Sequence, residues 1–426
     1  MNKSLFIAFA AYFTQIAKNI DERINGKKTE QSYLYKQMLT EELSVDLKWN
    51  TLQVNTNIVA ADIVALDSSL PLKKRDSFGT ASGDIPKTGM KFQLNEKQMT
   101  DLDVLRARNA ETSVLVDKMF NDEVKATMGI HEKLELMFLQ GISTGVAVAE
   151  DENNVGVGIR VDYGYKDSNK FGVTKPWSDT ENARPLDDIK RIVKQAKSKG
   201  DMIRYLMMSD TTFDKLAESK QTREQYAFSQ NFVGTMIPVP DMDQVRSLIK
   251  RKYNINIIVV DRTVTTERDG IRTIHTPFDE NKVVFLTSEK AGKLMYGILA
   301  EETRKSKQCM YAKSGSFILL KKWSSEEPFA EFTSSQALVV PVINNVDSIY
   351  LLDAEEAATD EQTEGDANFD YNSTSYTRTS VIAAINEATG KTTARSNNTD
   401  ATLQKYINEL SDEQVLVFEA NIVESA

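Results

Sequence analysis

Residues 111–164 limit the fold of this chain more than any other stretch, because they read as one long helix followed by a strand pair. The helix runs from Glu111 to about Gln140. Val116, Phe120 and Val124 recur every four residues, and Leu134 and Phe138 resume the stripe after Gly129. Asp117, Lys118, Asp122, Glu123, Lys125, Glu132, Lys133 and Glu135 fill much of the remaining surface. That pattern predicts an amphipathic helix of roughly 45 Å, long enough to run along a whole subunit. Gly129 costs about 1 kcal/mol relative to alanine, so a bend or a close packing contact is expected there. Gly141 reads as the stop and Ser143-Thr144-Gly145 as the turn. Val146–Ala149 and Val155–Tyr163 then form strands around the polar turn Glu150–Asn154. This is a scaffold element without a reactive side chain.

The segments before it read as extensions. In Met1–Ile24, Lys3 and the apolar run Leu5–Phe13 imitate a short signal peptide, but the spacing continues through Ile16, Ile20 and Ile24 with charges between. An amphipathic partner-binding helix accounts for that better. Ser32–Trp49 reads as a second helix turning Leu34, Met38, Leu39, Leu43 and Leu47 towards a neighbour, so residues 1–53 form a helical N-terminal arm. Residues 54–106 carry Pro71, Gly79, Gly83, Pro86 and Gly89 between two apolar alternations, Val54–Leu66 and Met90–Leu94. Such punctuation predicts an extended β-hairpin loop with little core of its own. The run Lys73, Lys74 and Arg75 falls on it, as a solvated tip or as cations for an adjoining subunit.

Residues 185–300 alternate helix and strand. Pro185 opens a helix that Gly200 ends, Met202–Met208 is a strand, and Ser209 or Asp210 caps the helix Thr212–Ser219. Asp241–Tyr253 is helical, and Ile255–Asp261 and Val283–Leu286 are strands. A doubly wound nucleotide-binding enzyme would alternate in the same way. Its strands, however, would lead into glycine loops that bring backbone N–H groups to phosphate. The residues following these strands are Ser209-Asp210-Thr211-Thr212, Arg262-Thr263-Val264 and Thr287-Ser288-Glu289-Lys290. Gly156-x-Gly158 lies within a strand and lacks a third glycine.

Other chemistry is thin. His131 and His275 have no second ligand at metal spacing, and Cys309 stands alone, which excludes an internal disulfide and suits a reducing compartment. The acidic pairs Glu301/Glu302 and Asp241/Asp243 read as surface or subunit pairing. With 62 acidic and 52 basic residues the chain is no general nucleic-acid binder, and only Arg246, Lys250, Arg251 and Lys252 gather into a basic helix face. No run approaches the ~20 apolar residues of a membrane span. Between 354 and 368 acids dominate without a compensating base, which predicts a linker. Beyond it, in residues 369–426, three short helices are expected: one ending at Gly390, one capped by Thr399 and one opened by Ser411. So small a helical module has a marginal core.

The order of the long helix, Gln140-Gly141-Ile142-Ser143-Thr144-Gly145, an acidic turn and Val161-Asp162-Tyr163-Gly164 resembles the major capsid proteins of lambda-type tailed phages. Leu206-Met207-Met208-Ser209, Lys282-Val283-Val284-Phe285-Leu286 with Gly297 and Glu301, and Phe332-Thr333 through Pro341-Val342-Ile343 agree, over residues 50–353. The resemblance implies an α+β chain with the Hong Kong 97-like capsid fold. Residues 107–184 would form a peripheral domain around the spine helix, and 185–312 an axial domain. Residues 313–353 would return to the peripheral sheet, leaving the C-terminal module as an addition. It implies a non-enzymatic shell protein of the virion, without cofactor or metal, that joins itself in hexamers and pentamers around double-stranded DNA. A scaffolding protein, a portal and a cementing protein would be its partners, and contact with DNA would be weak. Lys73, Lys74, Arg75, Glu132, Glu135, Arg246, Lys250 and Arg251 are the candidates for contact between subunits. Some shells of this fold are welded between a loop lysine and an asparagine beside a glutamate. Lys73 or Lys74, Asn344 or Asn345, and Glu132 or Glu135 have the right residue types, but a polar loop tip desolvates a lysine poorly, so non-covalent shells are expected. The alternatives are an α/β enzyme with an acidic site, or a virion or cell-surface binding protein built on the C-terminal module.

Overall fold

The computed structural model describes residues 33–50, 82–107, 112–149, 159–229, 239–357 (without 269 and 328) and 368–422 (without 372–373, 390–393 and 395–399). The expected N-terminal helix, the loop tip and Gly156-x-Gly158 lie outside them. The chain divides into a body, Met1–Ala357, and a small unit, Ala358–Ala426.

In the body, a one-turn helix α1 (Leu34–Met38) runs straight into strand β1 (Leu39–Leu43), and a short pair β2 (Lys48–Asn50) and β3 (Ser82–Asp84) follows. The expected helix over Ser32–Trp49 is therefore a single turn. From Leu39 the backbone pairs in parallel with a strand some 250 residues later, and Met38, Leu39 and Trp49 enter the body's own core instead of facing a neighbour. Next come β4 (Lys87–Asn95), α2 (Glu96–Ala107), the spine helix α3 (Thr112–Thr144), and the hairpin β5 (Val146–Ala149) with β6 (Ile159–Asp162). Residues 96–107 are helical, not extended, with Asn95 and Gln98 exchanging side-chain to backbone bonds at its start.

The spine runs past Gly141, the expected stop, to Thr144, and Gly145 takes the positive φ of +81° that ends it. Both glycines inside the helix mark close approach. A Cβ on Gly129 would strike the Met90 side chain, and one on Gly141 would lie 2.6 Å from the ring of Tyr163. From Ile130 onward the helix is buried on most sides, with Ile130, Leu134, Met137, Phe138, Leu139 and Ile142 all in the core.

The remaining elements build two sheets. They are β7 (Lys170–Val173), α4 (Pro185–Ser198), β8 (Tyr205–Ser209), α5 (Asp210–Glu218), α6 (Lys220–Ser229), α7 (Met242–Tyr253), β9 (Asn256–Val260), β10 (Val264–Arg268), β11 (Ile271–His275) and β12 (Lys282–Leu286). After these come β13 (Gly292–Gly297), β14 (Met310–Ser314), β15 (Ile318–Glu326), β16 (Phe329–Ile343) and β17 (Tyr350–Ala357). Five strands take the order β7-β17-β12-β8-β9, with antiparallel pairing in the middle and parallel pairs at both margins. That mixed order is not a doubly wound sheet. One face of this sheet packs Leu206, Met208, Val283, Phe285 and Leu352 against α4, α5 and α7, whose caps match the sequence: Ser209 Oγ accepts from Thr212 N–H, and Asp241 forms a capping box with Gln244.

Six strands form the other sheet, β1-β13-β16-β15-β14 with β4 added along β16. Its inner face rests on α3. Thr333 and Ser335 are small enough for the helix to lie close, and Ser335 Oγ donates to the Ala126 carbonyl at 2.8 Å. Strand β17 does not return to this sheet but crosses to the five-stranded one, because Tyr350 and Leu352 complete the core over α4.

The small unit holds its own core of Phe369, Val381, Ala384, Ile385, Ala394, Leu403, Ile407 and Phe418. Its three helices, α8 (Arg378–Thr389), α9 (Asp400–Asn408) and α10 (Asp412–Asn421), fall where the caps placed them, with a capping box at Ser411. It is not purely helical. A hairpin of β18 (Asn368–Tyr371) and β19 (Thr374–Thr377) precedes the helices, because Phe369 is needed inside and Tyr371 and Tyr376 pack against it.

Candidate assembly surfaces

The arm root is locked to the spine by charge and ring contacts. Glu135 is fully buried and accepts from the backbone N–H groups of Leu34 (2.9 Å) and Tyr35 (3.0 Å). Burial pushes its carboxyl up, outweighing those two bonds. Glu132 accepts from the Tyr33 hydroxyl at 2.9 Å and from Arg262 at 2.6 Å, while the Arg262 guanidinium lies over the Tyr33 ring. Burial, reinforced by Glu132, raises the Tyr33 hydroxyl. His131 is hydrogen-bonded to the Tyr35 hydroxyl, and burial lowers its pKa to about 3, so the ring is neutral. The two glutamates expected on the exposed surface thus hold the subunit's own chain.

Glu123 departs from expectation in the same way. Its carboxylate meets Lys322 of β15 at 2.8 Å, with both side chains 1% exposed, and burial raises the carboxyl despite that partner. A charge on a long helix reads as solvated when its partner lies 199 residues away.

The basic face of α7 is where the sequence puts it. Lys250 and Arg251 are exposed, and Arg246, half-buried, approaches Asp243 at 3.8 Å. Arg251 lines a shallow cleft with Tyr226, Ser229, Asp241 and Asp243. Lys73, Lys74 and Arg75 lie outside the described residues. The acidic pairs are structural: Glu301 accepts from Lys321 and Gln336, Glu302 from Lys313, and Asp241 caps α7. His275 pairs with Thr266 across the hairpin, and Cys309 is half-buried. Among the described residues no group of three or more His, Cys, Asp or Glu could hold a metal, and no helix is long and apolar enough to cross a membrane.

Two surfaces escaped the sequence reading. The ribbon β10–β11 exposes Ile271 and Ile274 at 71% and 70%; its sequence signal is the dipeptide Asp269-Gly270 between two runs rich in β-branched residues, and Gly270 has φ +77°. The end of β1 exposes Leu43, Val45 (92%) and Leu47 beside Ile298.

The family model of phage major capsid protein E matches residues 17–353. The chain belongs to that family. The phage major capsid proteins are structural, and this chain is a capsid shell protein of the α+β class. The match ends where the body ends, so the small unit lies beyond it. No curated protein matches the chain. Among solved structures, a putative prophage capsid protein from E. coli CFT073 is 15% identical with a TM-score of 0.49, covering 80% of this chain and 98% of that one. A phage-related protein from Bordetella bronchiseptica RB50 is 12% identical (TM-score 0.44; 80% and 97% covered). The capsid of cyanophage A-1(L) is also 12% identical (TM-score 0.41; 75% and 90%).

Proposed function

We propose that many copies of this chain assemble, through hexamers and pentamers in a Hong Kong 97-like arrangement, into the icosahedral head that encloses double-stranded phage DNA. The observation carrying this reading is that the capsid family match and the two-sheet body coincide, residues 17–353 against Met1–Ala357. Assembly takes place in the bacterial cytoplasm with a scaffolding protein and a portal, and a cementing protein binds the finished shell. Lys73, Lys74, Arg75, Lys250 and Arg251 make contacts between copies, with Arg246 beside them and the exposed part of Glu132 at the arm root. Glu135, being buried, supports that root. Contact with DNA is weak, in keeping with a net charge of −10. Expression with negative-stain microscopy and analytical ultracentrifugation tests the reading. Closed shells or capsomers are expected, and a chain that stays monomeric with and without its scaffolding protein would refute it.

A further inference from the structure

Two surfaces of the body are uncovered among the described residues, and they differ from each other in a complementary way. The ribbon β10–β11 is anchored at its base by the buried Val264, yet β11 is exposed at every position. A two-stranded ribbon is marginal in water on its own, and Ile271 and Ile274, on opposite faces, add nothing to it while solvated. Among the described residues the strand β1 is the outermost of its sheet, pairing only with β13, and is exposed from Thr40 to Leu43. Its open edge carries unpaired backbone groups. Beyond it Ser44 N–H donates to the Tyr296 carbonyl and Leu47 lies against Gly297, so the exposed Leu43, Val45, Leu47 and Ile298 all fall at this end of β1 and β13. The charges differ too: β1 carries Glu41, with Glu42 already paired to Lys293 of β13, and β11 carries Arg272 with no acid of its own.

A rotational ring is made of heterologous contacts, in which one patch of each subunit fits a different patch of the next. The two surfaces have the features such a contact needs: an open strand edge on each, apolar side chains on both, and opposite charge. We propose that β11 of one copy adds to the free edge of β1 in the next, seating Ile274 beside the exposed apolar side chains at the end of β1, Leu43 first among them, with Arg272, on the same face as Ile274, towards Glu41. This contact rests on the shell-building reading and supplies it with a specific ring interface. Arg272 exchanges its present exposed partner, Glu267 at 2.8 Å, for the neighbour's carboxylate, and such surface pairs exchange at little cost. Strand addition of this kind takes its affinity from main-chain bonds and its register from the side chains.

Disulfide trapping in assembled particles tests it. In a Cys309→Ser background, Thr40→Cys or Glu41→Cys is combined with Arg272→Cys or Thr273→Cys, four pairings that allow for register. Oxidised particles should give a ladder of multimers on non-reducing gels from at least one pairing. Glu41→Lys and Arg272→Glu should each lower particle yield about tenfold, and the two together should restore it. All these side chains are solvated, so circular dichroism of each variant should match the parent. Particles at full yield from both single reversals, with no ladder from any pairing, would overturn the contact alone. Absence of particles from the unsubstituted chain would overturn the shell reading and the contact with it.

Discussion

Breaking the buried pair between the spine and β15 should be among the most damaging single changes in the body. Lys322→Met leaves the Glu123 carboxylate where both side chains are 1% exposed, with one of its oxygens already lacking a partner. Removing one member of a buried pair costs about 3–5 kcal/mol, a large part of the ~5–15 kcal/mol that holds a domain together. Replacing both, Glu123→Leu with Lys322→Met, removes the desolvation cost along with the attraction and should come within about 1 kcal/mol of the parent. The pH dependence carries its own sign. Burial raises the Glu123 carboxyl from its ordinary 4.5, so its contribution to stability is full below about 4.5 and is lost as the pH rises through the folded value. Without Lys322, which lowers that value, the loss should extend to higher pH and Lys322→Met should recover stability on acidification. Urea unfolding of dissociated subunits, followed by tryptophan fluorescence, to which Trp323 next to Lys322 in β15 contributes along with Trp49 and Trp177, measures both effects. A single variant costing under about 1 kcal/mol, or a double variant no better than the singles, would refute the reasoning.

Further outcomes follow from the same packing. Gly129→Ala meets only the flexible end of Met90 and should be nearly neutral. Gly141→Ala meets a Tyr163 ring pinned by its bond to the Pro341 carbonyl at 2.6 Å and should cost about 1–3 kcal/mol in chemical denaturation. Asp241→Ala removes the cap of α7 and should cost about 1 kcal/mol by the same assay. A chain ending at Ala357, just past the family match, should still form particles by microscopy; loss of assembly would make the small unit part of the shell lattice. Boiling in detergent should release a single band near 47.9 kDa, whereas a covalent ladder removed by Lys73→Arg with Lys74→Arg would show a weld.

Local signals carried far along this chain. The spine, the caps at Ser209, Asp241 and Ser411, and the strands Tyr205–Ser209 and Lys282–Leu286 stood in the sequence as period, cap and β-branched run, because each is decided within a few residues. Distant partners decided the rest. Leu39-Thr40-Glu41-Glu42-Leu43 has helical composition yet pairs with Gly292–Tyr296, and no property of the five residues announces that strand. Glu123 and Glu135 look like surface charges until Lys322 and the backbone of Leu34 and Tyr35 arrive from far away. Sheet membership was equally hidden. Val339–Ile343 and Tyr350–Leu352 are both apolar runs, separated by a few residues, and only the cores they complete assign them to different sheets.

The crossings between the two sheets also govern how the subunit bears tension. The chain leaves the five-stranded sheet through residues 287–291 and returns through 344–349, and these two tethers are joined where Asn344 N–H donates to the Ala291 carbonyl at 2.9 Å. A pull passing from one sheet to the other is shared by these two tethers, side by side, and by a third connection that leads along the chain from β4 through the spine to β7. Each tether is rooted in an interior or long strand, β12 and β13 at one and β16 and β17 at the other. No single strand can therefore be peeled from an edge to part the sheets. Outward pressure on a wall of such subunits is therefore carried across each copy by covalent chain as well as by hydrogen bonds.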